Sequence, residues 1–434
     1  MNLSNKTLLL MGGGAYAKDI EKYKNKKGFR IVALGRDENT PISKISDAFY
    51  HINTQNVDEV CEVVKKERVD GIFVGSSEIN ISPAIDVAEK TGCNFYVNRE
   101  QWDILANKAA FKDSCRKHGV PVVPEYHLPD DYSIEDVKKL PFPVLLKPTD
   151  SSGARGMNAC YRAEDFDAAY QEALKWSGKK EVIIEKLITA ADEVFFQYTI
   201  QNGECSLTSC FTKVFTKSND KMLILPIFHM YPSKYIDEYY KTVHTNVTDM
   251  FRDIGVHDGV MTIQSFYKDG QFYVFEAGFR MGGAQNYILS EYQWGTNSLE
   301  YMINYALTGS MNDTRIADID NAYFRHPCCN YYMGLLPGTI AEMSGIDAIK
   351  KMDGVLNVTV MCREGEVIEN TNALERVCLR IHVVGDTVDH LADNIVNISK
   401  TIKVISTDGK DMQIEHPSKQ RCIEAITNAT IFKV

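Results

Sequence analysis

A short apolar strand that ends on a lysine and leads into a small, glycine-rich loop is the first candidate for chemistry in this sequence. Val144 to Leu146 precede Lys147, and Pro148 prevents a helix from following directly. Small residues let backbone N–H groups approach a phosphate closely, while a lysine and an arginine neutralise its charge. We interpret the segment as a phosphate-binding loop, with an ordinary surface loop as the alternative. The loop residues are Ser151, Ser152, Gly153, Arg155 and Gly156.

A second lysine, Lys108, falls in the first turn of a helix predicted from Lys108 to His118, with Asn107 as its N-cap. A cation is unfavourable there because the helix dipole already places partial positive charge at the N-terminus. The position indicates a binding role for Lys108, and a solvated surface lysine is the alternative.

Two glutamates lie at the end of one predicted strand and at the start of the next. Glu185 closes the first strand, and Glu193 opens the second one eight residues later. Carboxylates can accept hydrogen bonds from a ribose, and the backbone at a strand end can read an adenine edge. The alternative is a pair of solvated glutamates.

Two alternating strands around Asp269-Gly270 predict a hairpin with Gln264 on one strand and Glu276 on the other. Loop length decides whether these two side chains share a face of the hairpin. A two-residue turn places them on opposite faces, whereas a three-residue loop at 268–270 with a bulge places them on the same face. A metal held by this hairpin requires the second geometry, which we predict.

Composition narrows the class of protein. The 434 residues are enough for two to four domains, and the formal net charge of −10 argues against nonspecific nucleic-acid binding. No apolar run approaches the roughly 20 residues that a membrane span requires, and the N-terminus does not resemble a signal peptide. The eleven cysteines lack zinc-ligand spacing, so we expect free thiols in a reducing, cytoplasmic compartment.

Strands and helices alternate over residues 7 to about 100, which predicts a βαβ arrangement with a parallel sheet. A glycine pattern, Gly12-x-Gly14-x-x-Ala17, follows the first strand and leaves an NAD-dependent enzyme as an alternative to a tight strand-to-helix turn. The predicted strands are at 7–11, 30–35, 71–74 and 95–97. One predicted helix ends at about residue 27, and two others span 57–67 and 83–92.

In this order, the segments resemble the ATP-grasp superfamily. Thr212-Lys213 and the segment from His229 to Ser233 are similar to the carboxylate–amine ligase branch, which includes bacterial L-amino-acid ligases. Biotin carboxylase and carbamoyl-phosphate synthase also belong to the enzymes that the chain resembles. The matching set is Lys108, Lys147-Pro148, Ser151 to Gly156, Glu185-Lys186-Leu187-Ile188, Glu193 and Glu276-x-x-x-Arg280-x-Gly-Gly.

The resemblance extends over nearly the whole chain and implies a mixed α/β and α+β fold in three parts. Residues 1–100 would form a Rossmann-like pre-grasp domain. Residues 101–310 would form the ATP-grasp core with a lid at about 120–190. Residues 311–434 would form a C-terminal α+β domain.

The resemblance also implies that MgATP lies between two α/β lobes. Lys108 and Lys147 would contact the phosphates, and the loop at 151–156 would close over them. The strand end from Glu185 through Lys186 and Leu187 to Ile188 would face adenine, and Glu193 the ribose. Glu276, together with Gln264, would hold Mg²⁺, with Mn²⁺ as an alternative. Arg280 would stabilise the transferring phosphoryl group or the substrate carboxylate, so the implied catalytic residues are Lys147, Glu276 and Arg280.

The implied activity is an ATP-dependent ligase that activates a carboxylate as an acyl phosphate and couples it to an amine, with release of ADP and phosphate. The partners would be small-molecule carboxylate and amine substrates, neither nucleic acid nor membrane, and a homodimer is common among relatives. Two positions depart from the pattern, since Gln264 replaces an acid and Gly278 replaces an asparagine. Magnesium prefers hard, usually anionic oxygen ligands. The alternative is therefore an ATP-binding protein with a degenerate metal site and little or no ligase activity.

Overall fold

The computed structural model describes residues 1–149, 156–216, 225–371 and 374–433. Near the N-terminus, a parallel sheet has the strand order β3–β2–β1–β4. Strand β1 is buried along its whole length and mostly apolar, which is typical of a parallel sheet covered on both faces. These strands are β1 (Thr7–Leu10), β2 (Arg30–Gly35), β3 (Ala48–His51) and β4 (Gly71–Phe73), and the helices are α1 (Ala17–Lys27), α2 (Pro41–Ile45), α3 (Val57–Glu67) and α4 (Ile81–Thr91).

The predicted parallel βαβ arrangement is confirmed, with two differences. The strand predicted at 95–97 is wrong, because the chain there forms only an isolated bridge between Asn94 and Gly71. The edge strand β3 was not predicted, because its apolar run is only three residues long, from Ala48 to Tyr50. The Gly12 turn is tightly packed, since a Cβ on Gly12 would lie 2.5 Å from the Val74 carbonyl oxygen.

A smaller antiparallel sheet follows, with the strand order β5–β8–β6–β7. Its own apolar core includes Val144, Leu146, Phe166 and Ile184. The strand predicted from Val120 to Tyr126 is shorter than expected, since only its last two residues pair as a strand. The elements of this region are α5 (Arg99–Ala106), α6 (Lys108–Lys117), β5 (Glu125–Tyr126), α7 (Ile134–Val137), β6 (Val144–Pro148), β7 (Asn158–Cys160), α8 (Phe166–Lys175) and β8 (Val182–Lys186).

The largest sheet has the strand order β13–β12–β9–β10–β11–β14–β18–β16, with antiparallel neighbours throughout. Its elements up to residue 308 are β9 (Asp192–Gln201), β10 (Glu204–Phe215), β11 (Pro226–Tyr231), α9 (Ile236–Tyr239), α10 (Thr245–Asp253), β12 (Gly259–Lys268), β13 (Gln271–Phe279), α11 (Tyr287–Trp294) and α12 (Ser298–Thr308).

The large sheet continues into the last part of the chain, where β14 pairs with β11. A second sheet there has the order β17–β15–β19. In the described segments, no helix is both long and apolar enough to cross a membrane. The elements are β14 (Cys328–Gly334), β15 (Gly338–Ser344), α13 (Ile346–Ile349), β16 (Val355–Val360), β17 (Val367–Ile368), β18 (Val377–Val384), α14 (Val388–Thr401), β19 (Lys403–Ser406) and α15 (Lys419–Ala429).

Cysteine pairing differs from expectation at one place. Cys362 and Cys378 form a disulfide between the end of β16 and the neighbouring strand β18, so the prediction of free thiols is wrong for these two. The other nine cysteines are free thiols, as predicted, and most of them are buried.

Candidate active site

The hairpin of β12 and β13 brings Gln264 and Glu276 directly opposite each other. The turn between the strands has two residues, Asp269 and Gly270, both with positive φ (52° and 80°), so the predicted three-residue loop is wrong. Direct cross-strand partners share a face of the sheet. The predicted common face is therefore confirmed, although by a different local structure.

A β-bulge at Phe275 produces this register. Ser265 pairs with Val274 and Gln264 pairs with Glu276, so Phe275 is the extra residue of β13. Its ring stacks on Phe266 of the partner strand, with 4.6 Å between the ring centroids. Phe275 also lines the cavity described below, and the alternation pattern does not reveal the bulge.

Gly278, one of the two departures noted in the sequence, lies on the same face as Glu276, opposite Thr262. A Cβ at Gly278 would meet no atom within 4 Å. The position beside Glu276 is therefore open space that water or a ligand oxygen can enter.

Charges from several segments converge on Glu276. Burial, followed by the negative charge of Glu78, raises the pKa of its carboxyl group, while Lys108, Arg280 and Lys147 act in the opposite direction. Three cations that are distant in sequence therefore lie within electrostatic reach of one carboxylate.

Helix α6 holds Lys108 as predicted. The Asn107 side chain accepts hydrogen bonds from the backbone N–H groups of Ala109 (3.0 Å) and Ala110 (3.1 Å), which caps the helix. The Lys108 Nζ atom donates to the Thr149 carbonyl oxygen at 3.5 Å, next to the glycine-rich loop.

Lys108 and Glu276 line a common cavity of about 650 Å³. Arg280 enters it from the end of the hairpin, where its Nη2 atom donates to Glu78 Oε2 at 3.1 Å. Trp102 and Phe275 supply aromatic surface. The other lining residues are Ile79, Ser82, Leu105, Ala106, Phe111, Thr149, Ala277, Gly278 and Phe279.

Lys147 and Glu185 are both buried, with 7 % and 2 % of their surface exposed, and are not among the described residues that line this cavity. The Lys147 Nζ atom lies 2.7 Å from Glu185 Oε1. Burial lowers the pKa of Lys147; the charge of Glu185 opposes this shift, and the charges of Lys112 and Lys108 add to it. The two predicted residues are thus brought together, and the charge of Lys147 reaches Glu276.

The residues predicted to face adenine lie at the end of β8. The backbone N–H of Lys186 donates to the Pro124 carbonyl at 2.9 Å, and that of Leu187 donates to the Pro143 carbonyl at 3.2 Å. Leu187 and Ile188 are partly exposed. Two backbone donors of this strand end are thus already bonded within the protein, and the partly exposed side chains can still contact a flat ring.

Glu193 is paired in the structure, because its Oε2 atom accepts a hydrogen bond from Lys213 Nζ at 2.7 Å. Lys213 Nζ also lies 4.5 Å from the centroid of the Phe195 ring. The resemblance singled out both Glu193 and Lys213, and the structure places them in direct contact.

The predicted phosphate loop falls largely outside the described residues, which include neither Ser151, Ser152, Gly153 nor Arg155. Its last residue, Gly156, has φ of +75°, and a Cβ there would lie 2.6 Å from Cβ of Trp176 and 2.9 Å from Cγ of Pro148. Any side chain at this position would be strained and would clash, so the loop must end on glycine.

Comparison with known proteins accounts for this arrangement. Residues 107–305 match the family model described as "Carbamoyl-phosphate synthase L chain, ATP binding domain". These residues form an ATP-grasp domain. Lys108, Lys147, Glu185, Gln264, Glu276 and Arg280 all lie within the ATP-grasp stretch.

Solved structures agree with the ATP-grasp fold. L-amino acid ligase from Bacillus licheniformis superposes with a TM-score of 0.75 at 17% identity, over 93% of this chain and 99% of that chain. The biotin carboxylase domain dimer of Hydrogenobacter thermophilus 2-oxoglutarate carboxylase, solved with MgADP, ADP and bicarbonate, has a TM-score of 0.74 at 18% identity and covers 94% of this chain and 91% of that chain.

Among curated sequences, the formate-dependent phosphoribosylglycinamide formyltransferase of Prochlorococcus marinus is 26% identical over 208 residues, 47% of this chain and 53% of the relative. The protein of the same name from Ignicoccus hospitalis is 28% identical over 189 residues, 43% of this chain and 47% of the relative. The chain spans about half the length of the curated relatives that it matches.

The candidate site contains two charged residues that the sequence did not single out. Lys112 lies one helical turn after Lys108 on α6, and Glu78 follows the carboxyl end of β4. The i, i+4 spacing on a predicted helix and the position after a parallel strand are signals that were present in the sequence. Neither signal identifies a partner, however, because both residues pair with other elements, Lys112 with Glu125 and Glu185 and Glu78 with Arg280.

The donor set at the hairpin fits a single divalent cation better than two. Glu276 offers one carboxylate, Gln264 an amide oxygen, and the space at Gly278 admits water. In the part of the chain that the structure describes, no group of three or more His, Cys, Asp or Glu side chains could hold a metal ion. Phosphate oxygens would have to complete the coordination of a cation at this site.

Proposed function

We propose that this chain is an ATP-dependent ligase that activates a carboxylate as an acyl phosphate and couples it to an amine. The observation that carries the proposal is the convergence of Lys108, Lys147 and Arg280 on Glu276, with Gln264 directly opposite. A set of cations around one carboxylate suits a cation-bound triphosphate, because the lysines, the arginine and the bound cation together offset the negative charge of the phosphates.

In the proposed reaction, a substrate carboxylate oxygen attacks the γ-phosphorus of ATP, and the bond between that phosphorus and the ADP oxygen breaks. The amine nitrogen then attacks the acyl carbon, a C–N bond forms, phosphate leaves, and the nitrogen loses a proton to solvent. The protein supplies positioning and charge and needs no covalent nucleophile. Lys108 and Lys147 would hold the phosphates, and Arg280 would stabilise the transferring phosphoryl group or the substrate carboxylate.

Mg²⁺ would be held by the Glu276 carboxylate and the Gln264 amide oxygen, and Mn²⁺ would suit the same oxygen donors. When bound, the cation neutralises charge on the transferring phosphate. We further propose that the loop at 151–156 closes over the phosphates, that Glu185, Lys186, Leu187 and Ile188 border adenine, and that Glu193 binds the ribose.

The substrate class is supported by the relatives. The curated relatives are named as formate-dependent, formate being a carboxylate, and a structural neighbour is named as an L-amino acid ligase. We propose a small-molecule carboxylate and an amine of the amino-acid or peptide type, in a cytoplasmic enzyme that forms a homodimer. We also propose the three-part division at residues 100 and 310, with the lid at about 120–190.

A screen of carboxylates and amino acids for ADP release tests this function. ADP should form only when both a carboxylic acid and an amine are present with ATP and Mg²⁺, and Lys147→Ala should abolish the reaction while melting cooperatively. ADP release that depends on an alcohol or on bicarbonate instead would place the protein in another reaction class.

A second candidate is an ATP-binding protein with a degenerate metal site, which the uncharged Gln264 opposite Glu276 favours. Gln264→Glu distinguishes the two, because the variant restores a second carboxylate on the same face without changing side-chain length. If the variant releases ADP several orders of magnitude faster than a nearly inactive wild type, the degenerate site is supported. Substantial turnover by the wild-type protein would exclude it.

A further inference from the structure

Helix α6 carries a fully buried lysine that the proposed chemistry does not use. Lys112 has no exposed surface and lies one helical turn after Lys108, so both side chains are on the same face of the helix. Its Nζ atom donates to Glu125 Oε1 at 2.7 Å and to Glu185 Oε1. These two glutamates are direct partners across strands β5 and β8.

One oxygen atom of Glu185 is therefore shared by two lysines. Lys147 Nζ lies 2.7 Å from the same Oε1 atom that accepts the hydrogen bond of Lys112. The second carboxylate, Glu125, also accepts a hydrogen bond from Arg116. These three cations and two carboxylates carry a net charge of +1, and the exposed Asp113 also accepts a hydrogen bond from Arg116 at 2.6 Å.

One acid of this cluster, Glu125, is held in the ionised form. Burial alone would raise the pKa of Glu125, but the hydrogen bonds and charges of Lys112 and Arg116 outweigh it and lower the pKa. Buried ion pairs add little to stability, because the desolvation of both charges offsets their attraction. An apolar residue in place of Lys112, with one neutral partner, would serve the core as well, so the buried lysine calls for a reason other than stability.

We propose that Lys112 is a positioning residue for ATP. Because Lys112 shares the Glu185 Oε1 atom with Lys147, it weakens the ion pair between Glu185 and Lys147. The Lys147 ammonium group is then available to a phosphate. By bridging β5 and β8, it also fixes the helix that carries Lys108 against the sheet that carries Lys147, which sets the spacing of the two proposed phosphate-binding lysines. The inference rests on the nucleotide site proposed above.

ATP binding by Lys112→Met, measured by calorimetry with Mg²⁺, tests the proposal. Methionine matches the lysine side chain up to its last atom and removes the charge, so Glu185 pairs with Lys147 alone and the phosphates must compete with it. We expect the ATP dissociation constant and the KM for ATP to rise about tenfold or more, because charge-assisted contacts to phosphate are among the strong ones. The kcat at saturating ATP should change less than about threefold, because Lys112 does not touch the reacting atoms.

A charge-matched double variant separates this role from simple burial of charge. Lys112→Met combined with Glu125→Gln keeps two cations and one carboxylate, so the net charge stays at +1 and the melting temperature should return towards wild type. The affinity for ATP should stay weak, and Glu125→Gln alone should bind ATP like wild type. Recovery of ATP affinity in the double variant, or an equal loss in Glu125→Gln, would overturn the positioning role.

The outcome also distinguishes this inference from the proposed function. If the wild type binds ATP and Lys112→Met binds it equally well, the positioning role is wrong and the ligase proposal stands. If the wild type does not bind ATP under these conditions, both proposals are wrong.

Discussion

At the scale of single residues, Glu276 is held in an environment that disfavours its own charge. Burial and the nearby Glu78 raise the pKa of its carboxyl group, and the surrounding cations compensate only in part. A group kept in an unfavourable state by its surroundings is typical of sites where function is gained at the expense of stability. A bound cation would supply the missing compensation.

Glu276→Gln should therefore separate activity from stability. The amide keeps the shape of the side chain and removes the charge, so we expect turnover to fall at least about 100-fold while the protein stays folded. Because the folded-state pKa of Glu276 is raised, the stability linked to its protonated form is present at low pH and is lost as the pH rises through that pKa. The melting temperature of the variant should thus equal or exceed that of wild type at neutral pH, and the difference should disappear in acid. Wild-type turnover by the variant would contradict the role of Glu276.

Several residues of the site could be predicted from the sequence, whereas the ion-pair partners of others could not. Lys108, Glu276 and Arg280 are recognisable from spacing and resemblance, and the structure brings them to one cavity. Lys112 and Glu78 could not be assigned, because Glu185 and Arg280 lie 73 and 202 residues away from them along the chain, and Glu125, the nearer partner of Lys112, belongs to a different element. Such pairs depend on tertiary packing, which periodicity does not encode.

At the scale of secondary-structure elements, the β12–β13 hairpin could also be predicted only in part. Alternation and the Asp-Gly pair identify the strands and the turn. The bulge at Phe275, whose ring stacks on Phe266, breaks the alternation, so neither its presence nor its position follows from the alternation. The correct face for Glu276 was thus predicted from the chemical requirement, and the loop length was predicted wrongly.

Asn107→Ala tests how far a helix cap supports the nucleotide site. The variant removes the acceptor for two backbone N–H groups in the turn that carries Lys108, and loss of such a cap costs about 0.5–2 kcal/mol. We expect a lower free energy of unfolding in urea and a raised KM for ATP. Asn107→Ser, which retains a capping oxygen, should restore both quantities, and full ATP affinity in Asn107→Ala would show that the cap is not needed for binding.

At the scale of the whole molecule, the large sheet joins the ATP-grasp strands to the last part of the chain. His229 of β11, Asn330 of β14 and His382 of β18 are direct partners in a row across it, and all three are buried. Burial lowers the pKa of both histidines, aided by the charge of Arg380, and that of His382 falls to about 3. The part of the sheet formed by β11, β14 and β18 therefore contains two neutral imidazoles.

This burial predicts a sensitivity to acid. Because the folded-state pKa of His382 is depressed, its contribution to stability is present above the unfolded value of about 6.5 and is lost as the pH falls towards 3. Between pH 7 and 5 the loss should be about 2 kcal/mol for His382 alone. The variant His382→Gln has no imidazole to protonate, so urea unfolding should show a shallower decline for the variant over this range. Asp320, whose raised pKa of about 6 acts in the opposite direction, is unchanged in both proteins and cancels in the comparison. Equal pH dependence in the two proteins would contradict the buried neutral state.

The contact between Glu78 and Arg280 joins the N-terminal parallel sheet region to the hairpin. A substitution of Glu78 therefore tests whether the first part of the chain affects the pKa of Glu276. Glu78→Gln removes a negative charge that raises the pKa of Glu276 and releases Arg280 from its partner, and both effects favour the ionised form of Glu276. A proton competes with a divalent cation for that carboxylate, so Mg²⁺-dependent ATP binding should weaken at low pH in wild type. In the variant, the pH at which Mg²⁺-dependent ATP binding weakens should fall by up to about one unit. The shift is limited because Glu78 is half exposed and its effect is screened by water. Glu78→Asp, which keeps the charge, should retain most of the wild-type profile. If ATP binding weakens at the same pH in Glu78→Gln as in wild type, the first part of the chain does not control the ionisation of Glu276.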